Sequence, residues 1–190
     1  VWVFRNKRYG DMICEESVSI RAIRRVYGEL TGSDASSLTP LDIFEIAEGN
    51  RQGDRQAACE SFRQFGEVAG DVISQALTII DGVVVLGGGL TGAAKYFMPA
   101  LLQEMRSEIK TFAGDRFPRL QMQVFNLDTP EERADFIREK SIPVTIPQTD
   151  EHTRYHHVRQ TPVICSKLGA SRAIALGAYA YAIAELDRRN

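Results

Sequence analysis

The apolar residues of this sequence recur with two periods, one typical of helices and the other of strands. The longest helical stripe lies in residues 54–80, where apolar side chains return every three or four positions over seven turns. Residues 83–86 are a run of four apolar residues, three of them β-branched, which predicts a short buried strand. Three glycines follow at once, and a helical pattern resumes at Ala93. We therefore expect a long core helix, a strand, a glycine-rich turn and a second helix, in that order.

Capping residues define the ends of the predicted helices before the turn. One helix spans residues 20–30, and Gly32 ends it. The segment 39–42 (TPLD) opens a short helix, because threonine is a good N-cap and proline suits the first turn. That helix is expected to close at Gly49, and Asp54 is the expected cap of the long helix.

After the glycines, the periodic pattern predicts another amphipathic helix and another strand. The apolar positions of this helix are Phe97, Leu101, Leu102, Met105 and Ile109. Pro99 is expected near the start of the helix or at a kink in it. Residues 120–125 alternate apolar and polar side chains, which predicts a half-buried strand.

Residues 126–160 break this rhythm. The segment 129–132 (TPEE) is a capping box with proline at the first helical position, and it predicts a short polar helix to about residue 140. Residues 141–160 hold turn signals and all three histidines of the chain. We interpret 126–160 as an insertion rather than core.

The C-terminal part returns to the earlier alternation of strand and helix. Residues 161–165 predict a strand, and Ser171 is the expected cap of a final helix to about residue 186. In that helix the pair 177–178 (GA) would let another backbone pack closely. Both this small-residue face and the insertion offer surfaces for an oligomer.

Composition bounds the class of protein. The chain has 190 residues, 44% of them apolar and 25% charged, so one globular domain over residues 1–190 is expected. A net charge of -2 gives no electrostatic reason to bind nucleic acid or an anionic membrane. The three cysteines are isolated and odd in number, which favours a reducing, cytoplasmic setting over disulfides or a structural zinc site. The chain begins without methionine at strand-like residues 1–4, so we expect a piece of a longer protein.

The glycine-rich turn is the strongest candidate site. Residues 87–92 (GGGLTG) satisfy the pattern G-x-G-x-x-G, which is a weak signal alone. A dinucleotide fold would place it at the opening of a βαβ unit with an acid about 20 residues later. Here it follows a long helix, and the next predicted strand ends near Asp128. A turn without a ligand remains possible, but three glycines exceed what a turn needs.

Other candidates have ordinary explanations beside the chemical ones. The paired carboxylates at residues 15–16 are explained by the charge preference of a helix N-terminus. His152 and His156 could share a metal on a helix, but their surroundings are typical of a polar loop. Residues 165–166 (CS) could supply a nucleophile, but no nucleophile elbow surrounds them. A buried cysteine at a strand end is the simpler interpretation.

Four stretches together resemble the C-terminal half of the ROK family (repressors, open reading frames and kinases), which includes bacterial glucokinases. They are residues 15–23 (EESVSIRAI), 42–50 (DIFEIAEGN), 83–89 (VVVLGGG) and 166–178 (SKLGASRAIALGA). The resemblance covers most of the chain outside 126–160. It implies a ribonuclease H-like, actin-like ATPase fold with a central mixed sheet flanked by helices.

The resemblance also implies a function and its residues. In the family two α/β halves close over a sugar and ATP with Mg²⁺, and a phosphoryl group passes to a hexose hydroxyl. This half would supply a nucleotide wall from Gly87, Gly88, Gly89 and Leu90. Its sugar-binding glutamate would be Glu15. The family commonly dimerises through this half.

This sequence departs from the family pattern in informative ways. Of the family's zinc motif only residues 14–15 (CE) are present, which argues against zinc. The N-terminal half, with its phosphate loop and general-base aspartate, lies outside this chain. No catalytic residue is therefore assigned here, and the fragment alone is expected to be inactive.

Two alternatives stay open at this point. The same fold could be the effector-binding domain of a sugar-responsive repressor, and a helix-turn-helix upstream of residue 1 would decide this. A dinucleotide-binding oxidoreductase half is less favoured.

Overall fold

Helices supply most of the structure of this chain. The computed structural model describes residues 3–189, and these contain six α-helices and seven short strands. Short 3₁₀ turns, Cys14–Glu16 and Gly89–Ala93, precede α1 and α4. The helices are α1 (Ile20–Thr31), α2 (Pro40–Glu48), α3 (Arg55–Ile79), α4 (Ala94–Met105), α5 (Pro130–Ile137) and α6 (Ala170–Arg189).

The central sheet is small and parallel. The strands are β1 (Val84–Leu86), β2 (Glu108–Lys110), β3 (Arg116–Pro118), β4 (Gln123–Asn126), β5 (Ile142–Thr145), β6 (His152–Tyr155) and β7 (Gln160–Cys165). In the described part of the chain, three of them form one sheet in the order β1-β7-β4, with β7 parallel to both neighbours. The other four form two separate antiparallel pairs, β2-β3 and β5-β6.

The predicted caps of the first helices are confirmed. Thr39 and Asp42 form a capping box at the start of α2, and these hydrogen bonds lower the pKa of Asp42. The Asp54 carboxylate accepts a hydrogen bond from the backbone N–H of Ala57 at the start of α3. Gly32 and Gly49 end their helices in the left-handed conformation, as the sequence predicted.

α3 and α4 pack against each other at backbone distance. A Cβ atom at Gly66 would overlap with the carbonyl oxygen of Phe97, and one at Gly70 would lie 2.5 Å from that of Leu101. Only glycine allows this approach. The fully buried side chains of Phe62 and Leu101 lie at the same interface, so this helix pair forms the centre of the core.

Several predicted boundaries are wrong. Ile109 lies in the exposed strand β2, because α4 ends at Met105. Pro99 lies in the interior of α4 rather than near its start, and the alternative prediction of a kink at Pro99 stays a prediction. Ser171 lies inside α6, which begins one residue earlier.

The capping box predicted at 129–132 does not form, although proline takes its expected place in α5. The Glu132 carboxylate instead accepts a hydrogen bond from the backbone N–H of Asn126 and pairs with Arg106. Residues 1 and 2 of the predicted strand 1–4 lie outside the described residues. Residues 3 and 4 are not in a strand, and Arg5 forms an isolated bridge with Ile13.

Two segments expected to be covered are exposed. Val85 of β1 is 59% exposed, because side chains alternate between the two faces of a strand and its neighbours Val84 and Leu86 are the ones that pack against the core. Of the described side chains of α6, all in residues 170–188 except Glu185 are likewise exposed, and a Cβ at Gly177 would meet no atom within 4 Å. The close packing predicted at residues 177–178 is therefore not made by the described part of this chain.

Residues 126–160 contain α5 and the exposed pair β5-β6. Their interpretation as an insertion stays a prediction. No helix among the described residues is long and apolar enough to cross a membrane.

We expect Gly66→Ala to lower the free energy of unfolding by about 1–3 kcal/mol, because its Cβ would push α4 away from α3. Urea unfolding at equilibrium measures this change. The matched control is Gly177→Ala, also within a helix but with open space around it, which should be neutral or stabilising by up to about 1 kcal/mol. Equal stability of the two variants would contradict the backbone contact described above.

Candidate functional site

The carboxyl ends of the three parallel strands meet at one edge of the sheet. β1 runs into Gly87 and β7 into Ser166, and Asp128 follows β4 by two residues. The backbone N–H of Ser166 donates to the carbonyl of Leu86 over 2.8 Å. The backbone N–H of Cys165 donates to the Asp128 carboxylate over 2.9 Å. Hydrogen bonds thus connect all three strand ends.

The glycine-rich turn is fixed by its middle glycine. Gly88 has φ 107° and ψ 176°, a conformation that only glycine adopts without strain. Both the backbone N–H and the hydroxyl of Thr91 donate to the Gly88 carbonyl, over 3.2 and 2.7 Å. The chain then enters the 3₁₀ turn Gly89–Ala93 and continues into α4.

The neighbouring glycines are not required by the fold. A Cβ atom at Gly87 or Gly89 would meet no atom within 4 Å, and neither residue has a positive φ. The turn therefore presents bare backbone to open space. Such a backbone allows a phosphate group to approach closely and to accept hydrogen bonds from main-chain N–H groups.

An apolar groove of about 270 Å³ joins this turn to the N-terminal segment. Gly87 and Leu90 of the turn line it together with Val18 and with Phe65 of α3. The structure thus brings two of the sequence-predicted turn residues close to the segment that contains Glu15. Glu15 itself does not line the groove.

Glu15 lies in the 3₁₀ turn just before α1 and is exposed to solvent. Its carboxylate is 3.7 Å from the Arg21 guanidinium, which also lies 3.4 Å from Glu16. This shared cation offsets the repulsion between the two neighbouring carboxylates. Glu15 is therefore accessible as a hydrogen-bond acceptor for a polar ligand.

Sequence reasoning missed the buried residue that supports this turn. The Asn6 amide donates to the hydroxyl of Ser17 over 2.8 Å and to the carbonyl of Ile13 over 3.3 Å. Its side-chain oxygen accepts from the backbone N–H groups of Arg8 and Tyr9. Only part of this arrangement had a signal in the sequence, since an asparagine side chain commonly bonds to the backbone two residues on, as Asn6 does with Arg8.

Asp128 is the second residue that the sequence did not indicate as part of this edge. Burial and a hydrogen bond to Asp128 raise the pKa of the Cys165 thiol to about 11. The thiol is therefore protonated at neutral pH and is a poor nucleophile. This supports the ordinary interpretation of residues 165–166 as the end of a strand.

The histidines lie apart from this edge, on β6 and in the segment after it. His152 contacts the hydroxyl of Thr145 over 3.2 Å, and His156 contacts the carbonyl of Val158 over 2.8 Å. Within residues 3–189, no three His, Cys, Asp or Glu side chains are arranged to hold a metal ion.

Comparisons with known proteins show the family and the fold of this chain. The sequence model of the ROK family matches residues 10–133. A solved glucokinase from Parabacteroides distasonis superposes with a TM-score of 0.83 and 46% identity, over 96% of this chain and 49% of the glucokinase. This chain thus spans about half the length of that glucokinase.

A second solved protein, from Cytophaga hutchinsonii and provisionally described as a sugar kinase, is 23% identical with a TM-score of 0.45. That match covers 54% of this chain and 35% of the other. A comparison with curated proteins gives no significant match.

We expect Asp128→Asn to speed alkylation of Cys165 at pH 8.5, because removal of the neighbouring carboxylate lowers the pKa of the thiol and increases its thiolate fraction. Iodoacetamide labelling followed by peptide mass spectrometry gives the rate at each cysteine. Cys14 and Cys59 are internal controls whose rates should not change. An unchanged rate at Cys165 would show that Asp128 does not act on its thiol.

Proposed function

This chain belongs to the ROK family and has its actin-like ATPase fold, and from that premise we propose that it is the nucleotide- and sugar-binding C-terminal half of an ATP-dependent sugar kinase. The reaction would transfer a phosphoryl group from ATP to a hexose hydroxyl. The observation that carries this proposal is the glycine-rich turn with open space around Gly87 and Gly89 at the carboxyl edge of the parallel strands. Ligands of open α/β sheets bind at such edges.

The nucleotide would bind along residues 87–90. The bare backbone of Gly87, Gly88 and Gly89 would accommodate phosphate oxygens, because no side chain restricts their approach. Leu90 lines the apolar groove and would contact the adenosine. The positive φ of Gly88 and the hydrogen bonds from Thr91 hold the turn in one conformation without a ligand. The backbone would therefore lose little conformational entropy when a nucleotide binds.

Magnesium would reach this half through the nucleotide. Among the described residues, no three His, Cys, Asp or Glu side chains are arranged to hold a metal ion, and the residues that we propose for the nucleotide would hold Mg²⁺ only through the nucleotide itself. Bound there, Mg²⁺ would neutralise charge on the transferred phosphoryl group. The residues of this chain would bind and orient the nucleotide. The general base would lie in the N-terminal half, so this half alone should not catalyse phosphorylation of the sugar.

The sugar would bind to Glu15. Its exposed carboxylate can accept a hydrogen bond from a sugar hydroxyl, and Arg21 restrains it from one side. The buried Asn6 anchors Ser17 and so holds the 3₁₀ turn that carries Glu15. Val18 connects this turn to the groove beside Gly87.

The wider setting follows from the same resemblance. We propose that the intact protein is a cytoplasmic homodimer and that an N-terminal half closes the cleft over ATP and sugar. The 46% identity to a solved glucokinase favours the kinase over the repressor. An intact protein that binds a sugar and DNA but never phosphorylates the sugar would be the repressor, and would overturn this assignment.

In the intact protein we expect Gly87→Ala and Gly89→Ala to raise the KM for ATP about tenfold, a loss of about 1.4 kcal/mol of binding free energy, because each Cβ would occupy space left for a phosphate. The KM for the sugar and the unfolding midpoint should stay unchanged, since neither Cβ meets another atom of the fold. A coupled ADP-release assay at varied ATP measures the effect. Gly82→Ala is the control, because it also faces open space but precedes β1. A KM for ATP equal to that of the control would contradict the nucleotide site.

We expect Glu15→Gln in the intact protein to raise the KM for the sugar about 10- to 100-fold, in line with the loss of a hydrogen bond to a charged group. The KM for ATP should not move. Glu16→Gln is a close control, because it makes the same chemical change one residue away, beside the same Arg21. If both variants behave alike, Glu15 has no specific role in binding the sugar.

A further inference from the structure

The antiparallel pair β2-β3 is an exposed ribbon whose apolar side chains have no cover. Ile109 and Phe117 lie directly opposite each other and are 51% and 56% exposed, and Phe112 in the connecting turn is fully exposed. Among the described residues, nothing pairs with the outer edge of either strand. Two-stranded ribbons are marginal alone, so a covering partner would stabilise this one.

Hydrogen bonds within the ribbon show which backbone groups point outwards. The N–H of Arg119 donates to the carbonyl of Ser107, and the N–H of Thr111 donates to the carbonyl of Asp115. In an antiparallel pair, inward and outward groups alternate along each strand. The N–H and carbonyl groups of Glu108 and Lys110 therefore point to the free edge of β2.

The charges on β2 are not balanced within the ribbon. Lys110 lies directly opposite Arg116, and like charges in that position are destabilising. Arg116 pairs with Glu108 over 3.2 Å. Lys110 forms no ion pair with any residue in the described range. It therefore presents an uncompensated cation at the free edge.

We propose that the outer edge of β2 pairs antiparallel with β2 of a second copy of this chain, about a two-fold axis at Ile109. The short sequence Glu108-Ile109-Lys110 is self-complementary in that arrangement. Glu108 of each copy lies opposite Lys110 of the other, in a pair that exchanges both backbone hydrogen bonds. Lys110 thereby gains the carboxylate that its own ribbon does not provide.

The same arrangement covers apolar surface. The two Ile109 side chains face each other in the closely spaced, non-hydrogen-bonded pair at the axis. Phe117 lies beside Ile109 within each ribbon, so four apolar side chains meet on one face of a four-stranded sheet. This surface locates the homodimer of the proposed function and is independent of the kinase chemistry.

Charge reversal in the intact protein tests the pairing, with sedimentation velocity over a concentration series as the measurement. Lys110→Glu and Glu108→Lys should each weaken the dimer at least tenfold. In either variant, residues 108 and 110 carry the same charge, and the two-fold axis places them opposite one another at two symmetric positions. The double variant Glu108→Lys with Lys110→Glu restores complementary charges and should return the dimer Kd to within about threefold of the starting protein. Lys167→Glu, an exposed residue far from β2 in sequence, is the control for charge alone and should leave the Kd unchanged.

A cross-link tests the axis itself. Ile109→Cys should form an intermolecular disulfide on mild oxidation, because the facing Cβ atoms of a non-hydrogen-bonded pair lie close enough. Ile142→Cys, on the exposed strand β5, is the matched control and should not cross-link above the background of the native cysteines. A dimer that persists through both single reversals, or equal cross-linking of the two cysteine variants, overturns the assignment of this surface while leaving the kinase proposal intact. A protein that is monomeric at every concentration overturns the surface and the homodimer together.

Discussion

The close approach of α3 and α4 is the contact on which the rest of the chain depends. At Gly66 and Gly70 the two backbones touch, and the carbonyls of Phe97 and Leu101 occupy the space of the missing side chains. Dispersion contacts are densest where backbones meet, so this interface fixes the position of α4 along and around α3. Since α4 begins directly after the glycine-rich turn, the same contact determines where that turn lies. The packing of α3 against α4 in the core thus determines the position of the candidate site.

The sheet supplies the complementary constraint. Because β1 and β4 both run parallel to β7, the turn after β1 and the Asp128 carboxylate after β4 are brought to the same edge. A groove lies between that edge and Val18. Val18 is in the short segment between the 3₁₀ turn with Glu15 and the start of α1. The groove is thus lined by the glycine-rich turn and by Val18, which lies three residues after Glu15 in the sequence. Gly87, Gly89 and Glu15 are exposed and lie outside the buried core, whereas Leu90 packs partly against it.

Local signals predicted much of this structure, and contacts distant in sequence account for the errors. The caps at Thr39 and Asp54 and the turn at residues 87–89 depend on neighbouring residues, so the sequence was sufficient for them. Glu132 does not form its predicted capping box, because its carboxylate instead binds the backbone N–H of Asn126 and the side chain of Arg106. Neither partner is part of the local sequence pattern that predicts a capping box.

The remaining errors have the same cause. The roles of Asn6 and Asp128 in the candidate site depend on partners that the fold brings near. The glycines of α3 were visible as residues, but their contact with α4 could not be inferred from helical periodicity. β1 was expected to be buried, but only Val84 and Leu86 pack against the core, and which face of a strand is covered depends on elements distant in sequence.

The strand order has a consequence for how the chain folds. β7 lies between β1 and β4, and the Thr161 hydroxyl donates to the carbonyl of Gly82 across 79 residues of sequence. Neither β1 nor β4 has a hydrogen-bonding neighbour in this sheet until residues 160–165 arrive. During synthesis on the ribosome, α1 to α4 can associate first, because their contacts are nearer in sequence. Until β7 has been synthesised, the backbone groups of β1 and β4 that pair with it remain without those partners. The edge of the sheet that holds the candidate site can therefore be completed only when β7 is in place, after the residues of the helical core have been synthesised.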